Sequence, residues 1–351
     1  MKRKHQAILI AGLFLLPNLA GFVLFTAGPV LFSAIASFSN WNLMQTVPFQ
    51  WIGFDNYIKL ITSEEFWLFF INTVYLMLGI PLSIAGSLFL AVMLSQRVRG
   101  LLVYRTLFYL PSFTAGVAML ILWKALYNPN FGPVNYIIEQ MLYPLRAYVD
   151  LAAQCWLVAG EHPGGLLAAL VDPPTWVNVL WVEPPLWLTS TKNMLGLAVE
   201  EVALTPSQFG LGARDAIVIM GIWTTMGGAN MLLYLAGIAN IPPELYEAAE
   251  IDGAGRWAQF RHVTWPQLAP TTFFIVIMSV ITGLQGGFEQ ARVMTLGGPA
   301  GTTTTLSFYI YMKGFEEFQM GYASAVAWLL FAIVFAITLV NWRYGSRHVN
   351  Y

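Results

Sequence analysis

An all-α integral membrane protein with about six transmembrane helices is what the sequence predicts, on three observations. Of its 351 residues, 57% are hydrophobic and only 10% charged, where a soluble domain carries about 25%; mean hydropathy is +0.63. The few charges are also unevenly placed, leaving six stretches without Asp, Glu, Lys or Arg. After trimming turns, each stretch keeps roughly 17–25 apolar residues, enough to cross a bilayer as a helix. None alternates polar and apolar residues as the wall of a closed barrel does.

The first span lies near 8–36, inside the charge-free run from Lys4 to Asp55. Its basic start, "MKRKH", and the small pattern Ala34-Ile35-Ala36 imitate a signal peptide. The apolar part, however, far exceeds the roughly 7–15 residues of a signal core, and Pro17 and Pro29 interrupt it. A retained first helix is expected. Residues 1–66 thus form a helix and an external loop, followed by a transmembrane domain over 67–345. Its spans are expected near 67–94, 106–126, 214–238, 270–288 and 321–341. The connection from about 127 to 213 is far longer than an ordinary loop. Within it, 136–205 reads as an extracytoplasmic insert holding Trp156, Trp176, Trp181 and Trp187 among many prolines. Indole rings favour membrane interfaces, so a cap against the outer interface is expected.

Orientation follows from the basic residues of short loops, which favour the cytosol. With both termini inside, Lys2, Arg3, Lys4, Arg97, Arg99, Arg105, Arg256, Arg261, Arg343 and Arg347 are cytosolic. Only Lys59, Lys124, Arg292 and Lys313 then lie in short external segments. Arg214 is assigned to the long external loop, so the spans hold no ionisable residue. The single cysteine, Cys155, excludes an internal disulfide, and the four histidines are too scattered for a metal site. A net charge of −1 gives no reason to expect a nucleic-acid partner.

The cytosolic loop, 239–270, is unusual. "PPELYEAAEIDGAGRWAQFRHVTWPQLAP" packs four acids and two arginines between two apolar spans. Pro243 suits the first position of a helix, and Glu244, Glu247 and Glu250 follow near its positive end. Gly253 sits where a helix ends on a left-handed residue, with Asp252 at the corner. Ala248 and Ala249 permit close approach from outside. A second helix carries Trp257, Phe260 and Val263 or Thr264 along one stripe, and Pro266 is expected to end it. Such a hairpin is built to dock, since four acids against two arginines disfavour an anionic lipid surface.

The pattern Glu247-Ala248-Ala249, three residues, Gly253, nine residues, then Val263-Thr264-Trp265-Pro266 resembles the EAA loop of ABC importer membrane subunits. Val263 and Trp265 replace the family's Ile and Leu while keeping apolar bulk. Further stretches, "FLLPNLAGFVLFTAGPVLFSAIASFSNW", "WIGFDNYIKLITSEEFW", "RTLFYLPSFTAGVAMLILWKALYNPNFGPVN" and "TLGGPAGTTTTLSFYIYMKGFEEFQMGYASAVAWLLF", resemble the carbohydrate-uptake branch, which includes maltose and glycerol-phosphate permeases. The resemblance lapses over about 136–205.

It implies a multi-pass subunit of a prokaryotic inner or plasma membrane, a transport component and not an enzyme. The implied partners are a second similar permease, two cytosolic ATPases and an extracytoplasmic solute-binding protein, with a sugar or related polar solute as cargo and lipid around it. Glu247, Ala248, Ala249, Asp252, Gly253 and Pro266 become the candidate ATPase-coupling residues. The chain lacks a G-x-x-x-x-G-K-[ST] phosphate loop, so it binds no cofactor and ATP is used by the partners. Two other readings remain open: a non-sugar solute such as a glycerol-phosphate ester, and an ion-coupled carrier, which would need a carboxylate within a span. For the solute path, Trp223, Gly227, Asn230 and Tyr234 recur on one face of the fourth span, joined by Thr282, Gln285 and Glu289 on the fifth. Aromatic rings beside amides suit a sugar. Ordinary helix packing also gathers small residues and amides.

Overall fold

The computed structural model describes residues 2–46, 48–96, 99–113, 116–141, 143, 185–198 and 206–345. Among them there are helices and turns, with two isolated bridges, Ser39–Trp51 and Asn193–Phe209, as the only β-type pairing. In chain order the principal helices are α1 (Lys2–Phe22), α2 (Gly28–Ala36), α3 (Asp55–Thr62), α4 (Glu64–Leu76), α5 (Gly79–Ser95), α6 (Leu101–Phe113) and α7 (Gly116–Leu126). They continue as α8 (Ala213–Met226), α9 (Ala229–Ala239), α10 (Pro243–Ile251), α11 (Ala269–Gln285), α12 (Leu306–Tyr311) and α13 (Met320–Gly345).

Five stretches are long and apolar enough to span: Gly12–Ala36, Glu64–Ser95, Ala213–Ala239, Ala269–Thr295 and Met320–Arg343. They coincide with five of the expected spans. The remaining one, expected near 106–126, is a bent pair, α6 and α7, inclined at 94°. Pro111 lies inside α6, and a proline removes a helix hydrogen bond and crowds the preceding turn.

Elsewhere the helical path runs through prolines. Val23–Ala27 forms a π turn in which the Gly28 N–H donates to the Val23 carbonyl, one residue before Pro29. Phe260–Thr264 repeats this device: the Trp265 N–H donates to the Phe260 carbonyl, and Pro266 follows. Pro266 therefore does not end its helix, as the sequence suggested. The wider turn draws back the carbonyl that the ring would strike, and helix resumes through Trp265–Gln267 to α11.

The chain divides into two compact units. The first comprises Met1–Trp67 and Tyr309–Ile333. There the Asn56 amide donates to the Ser37 and Ser39 carbonyls (2.8 and 2.9 Å), and the Trp328 indole donates to Ser33 Oγ (3.1 Å). Lys313 donates to Glu317 (2.7 Å) and lies 3.7 Å from Glu65. Burial disfavours its ammonium form, but these two carboxylates outweigh burial and hold its pKa above the ordinary lysine value.

The second unit comprises Leu68–Phe308 and Val334–Tyr351. Its centre is α5, packed against α8, α9 and α11. Gly79, Ser83 and Ser87 are spaced four apart on α5 and all buried. A Cβ on Gly79 would lie 3.1 Å from Ile222, Ser83 Oγ is 2.6 Å from Thr225 Oγ1, and Ser87 donates to the Met226 carbonyl (2.8 Å). Small residues let helices approach closely where lipid offers no hydrophobic drive to associate.

Part of the long connection is integral to this unit. Trp187 is buried with Tyr127, Trp123, Ile217 and Met220, and its indole donates to Asn135 Oδ1 (2.7 Å). The expected membrane-interface role for this indole is thus corrected, because Asn135 satisfies its N–H inside the protein. Trp156, Trp176 and Trp181 lie outside the described residues.

Candidate functional site

A cavity of about 440 Å³ opens in the second unit between α4–α5, α8–α9 and α11 with the turn that follows it. A run of glycines makes room for it: Gly79, Gly221, Gly228, Gly283, Gly286 and Gly287 all line it. Between them stand hydroxyls and carboxamides, including Ser112, Thr224, Thr225, Asn230, Ser279, Thr282 and Gln290.

The break in the fourth span creates one wall. The fourth span, expected near 214–238, runs over Ala213–Ala239, and within it α8 stops at Met226 and α9 begins at Ala229. Gly228 between them is extended in ψ, at −145°. Gly227 is needed there because a Cβ would sit 2.0 Å from the Phe108 carbonyl of α6. The break disperses the predicted face. Asn230 lines the cavity. Trp223 packs its ring against Trp123 at 5.5 Å. Tyr234 is fully buried in an apolar cluster with Leu88, Met231, Leu268 and Ile275. Gln285 ends α11 outside the cavity lining, its carbonyl accepting from Ser307 Oγ (2.5 Å). Thr282 lines the cavity, and Glu289, beyond the Gly286–Gly287 turn that ends α11, is exposed.

A buried polar cluster beside the cavity was missed by sequence reasoning. Arg214 was expected in the long external loop, yet it sits with Asp215 in the first turn of α8, 2% and 0% exposed. The Tyr75 hydroxyl donates to Asp215 Oδ1, and the Gly212 N–H to Oδ2 (3.1 Å). Arg214 Nε donates to the Thr302 carbonyl (3.0 Å), and its guanidinium lies 5.6 Å from the Tyr75 ring centre. The Thr302–Thr305 run is itself buried. Asn72 donates to the Gly301 and Thr304 carbonyls (2.8 and 3.1 Å), and Thr73 Oγ1 accepts from the Leu306 N–H (3.0 Å). Thr305 carries this clamp to the cavity lining. Asp215 is committed to these bonds at the end of the span. An adjacent Arg-Asp pair before an apolar run was the available signal; the partners some ninety and more residues away were not legible.

The polar hairpin is formed by α10 and the helical stretch from Arg256 onward. Pro243 opens α10 as the sequence suggested. Its end is a Schellman turn: the Gly253 N–H donates to the Glu250 carbonyl (3.0 Å) and the Ala254 N–H to that of Ala249 (2.9 Å). Gly253 has φ +78°, a conformation costly for residues with a Cβ. The Tyr246 hydroxyl lies 2.9 Å from Thr264 Oγ1 and ties the two arms together. Glu247, Ala248 and Asp252 are exposed, and Ala249 is half-buried. Two large apolar side chains accompany them, Ile251 at 88% exposure and Trp257 at 73%, the latter stacked on Phe260. Pro266 lies at the exposed start of the Trp265–Gln267 turn.

Comparison with known proteins gives concordant results. Residues 83–344 match the family model described as the binding-protein-dependent transport system inner membrane component. The chain is 31% identical over 343 residues to the Bacillus subtilis protein named "Probable ABC transporter permease protein YesP", covering 96% of this chain and 91% of that one. It is 26% identical over 345 residues to the sn-glycerol-3-phosphate transport system permease protein UgpA of Yersinia pseudotuberculosis, covering 97% and 95%. Among solved structures, a bacterial alginate ABC transporter in complex with an alginate pentasaccharide-bound periplasmic protein matches with a TM-score of 0.69 at 22% identity. That likeness covers 99% of this chain and 96% of the other, and it establishes the fold.

Proposed function

This chain belongs to the family of inner membrane components of binding-protein-dependent transport systems, and from that premise we propose that it is one half of the path of an ATP-driven importer for a sugar or related polar solute. It is a multi-pass membrane protein and an ABC transporter permease, not an enzyme. Proteins whose names carry glycerol phosphate and alginate, both polyhydroxylated and both anionic, support a hydroxyl-bearing cargo and leave its charge open.

The reading has the hairpin seated in a cytosolic ATPase. Its carrying observation is that an otherwise polar helix, α10, ends on a hydrogen-bonded left-handed corner beside exposed Ile251 and Trp257. An apolar side chain in water gains by burial, and a fixed corner transmits a push. Glu247 supplies a polar contact, Ala248 and Ala249 the close approach, Gly253 and Asp252 the corner, and Pro266 the rigid link back to α11. When ATP draws two ATPases together, the hairpin moves with its ATPase and the spans above it rock from inward- to outward-facing. A second, similar permease completes the path, and an extracytoplasmic binding protein delivers the solute. The test is Gly253→Arg in the reconstituted importer. Assembly in the membrane is retained while ATP-dependent uptake is abolished; normal uptake by this variant would refute the assignment.

A further inference from the structure

The hydrogen-bonding character of the cavity selects the charge of what passes through it. None of the side chains lining it is ionisable. Several of its hydroxyls have already committed their hydrogens: Ser112 donates to the Tyr109 carbonyl (2.7 Å), Thr224 to Met220 (3.0 Å) and Thr282 to Met278 (2.8 Å). Each can then only accept from a solute. The Asn230 and Gln290 carboxamides and the Ser279 hydroxyl make no side-chain hydrogen bond among the described residues, so they are available both to donate and to accept.

We infer that this cavity is matched to a neutral, hydroxyl-bearing solute and disfavours phosphorylated or carboxylated ones. A sugar hydroxyl both donates and accepts, so it can satisfy the acceptor-only hydroxyls and the free carboxamides alike. A carboxylate at neutral pH only accepts, and a phosphate, mostly dianionic there, is chiefly an acceptor. Either would face the lone pairs of Ser112, Thr224 and Thr282 and leave water without a cation to replace it. The start of α9, at the Gly228 break, does offer main-chain N–H groups. A helix end, however, is equivalent to about half a charge, short of what a phosphate carries. A bare cation fares no better, since the lining has no carboxylate. The inference rests on the proposed importer function, taking this cavity, lined by Asn230 and Thr282 of the expected solute path, as part of that path.

Charge preference can be measured without knowing the solute. The full chain, with Cys155→Ser as background and Asn230→Cys or Thr282→Cys added, is assembled with its partners in membrane vesicles. Each thiol is then reacted with two methanethiosulfonate reagents, one carrying trimethylammonium and the other sulfonate, with and without ATP. Rates are normalised to a free thiol in solution. A neutral cavity gives a normalised ratio within about threefold of unity, whereas a charge-selective one concentrates its favoured ion about tenfold or more. Preference for sulfonate at both positions overturns the inference in favour of an anionic solute, and preference for trimethylammonium overturns it in favour of a cationic one. If neither thiol reacts with either reagent in any state, the cavity is closed to water and the solute-path reading itself fails.

Discussion

Gly253 and Arg214 show opposite relations between residue and neighbourhood. A glycine with φ +78° and no atom within 4 Å of its missing Cβ is selected by backbone conformation alone. Transport should therefore be near normal for Gly253→Asn, which tolerates the left-handed region, reduced for Gly253→Ala, which does not, and absent for Gly253→Arg, which adds bulk and charge at the proposed docking face. Equal loss in the Asn and Arg variants would show that the corner's conformation is not what matters. Arg214, in contrast, is selected by its partners, since it is 2% exposed and linked to the Thr302 carbonyl beside Asp215. Removing a buried donor leaves its partner carbonyl unsatisfied, which typically costs about 1–3 kcal/mol. Arg214→Met should accordingly lower the thermal unfolding midpoint of the detergent-solubilised protein substantially; an unchanged midpoint would mean that the cation is dispensable.

At the scale of elements, interruptions matter more than the helices themselves. The i→i+5 turns before Pro29 and Pro266 keep the path helical, at Pro266 where the sequence suggested a stop. At Gly227–Gly228 the reverse occurs, and an apolar run without a proline is broken by contact with α6. The nearby Gly221 has nothing within 4 Å of its missing Cβ and serves as a control. Gly227→Ala forces a Cβ onto the Phe108 carbonyl and should cost about 1–3 kcal/mol, as overpacking does. Gly221→Ala should be neutral or slightly stabilising, because alanine is the better helix former. Chemical or thermal unfolding of the pair checks the difference, and equal stability would mean that the α6 contact gives way freely.

For the molecule as a whole, the family places this chain among subunits that work in a complex. Purified alone in liposomes, it should move no solute; addition of the ATPases, the second permease, the binding protein and ATP should give uptake. Ionophores that collapse proton and sodium gradients should leave that uptake unchanged. Uptake driven by an ion gradient in the absence of ATPase would overturn the proposed energy source. Asp215, part of the polar clamp, is engaged by Tyr75 and Gly212 and is not among the cavity's lining residues.

Sequence by itself determined five of the spans and their order, because a bilayer demands about twenty apolar residues per helix and charges mark the gaps; that the stretch near 106–126 is a bent pair came only from the structure. Sequence also determined the hairpin's corner, because few residues other than glycine accept a left-handed helix end. Only the tertiary structure decided which faces of those helices meet. A helix that is apolar all round carries no stripe to say which side faces protein and which faces lipid. So Tyr234 could be read onto the solute path and yet lie in the core with Leu268 and Ile275. Arg214 could be read as a loop residue and yet be buried over Tyr75. The cavity itself exists where glycines of three spans happen to meet, a coincidence in space with no trace in their spacing along the chain.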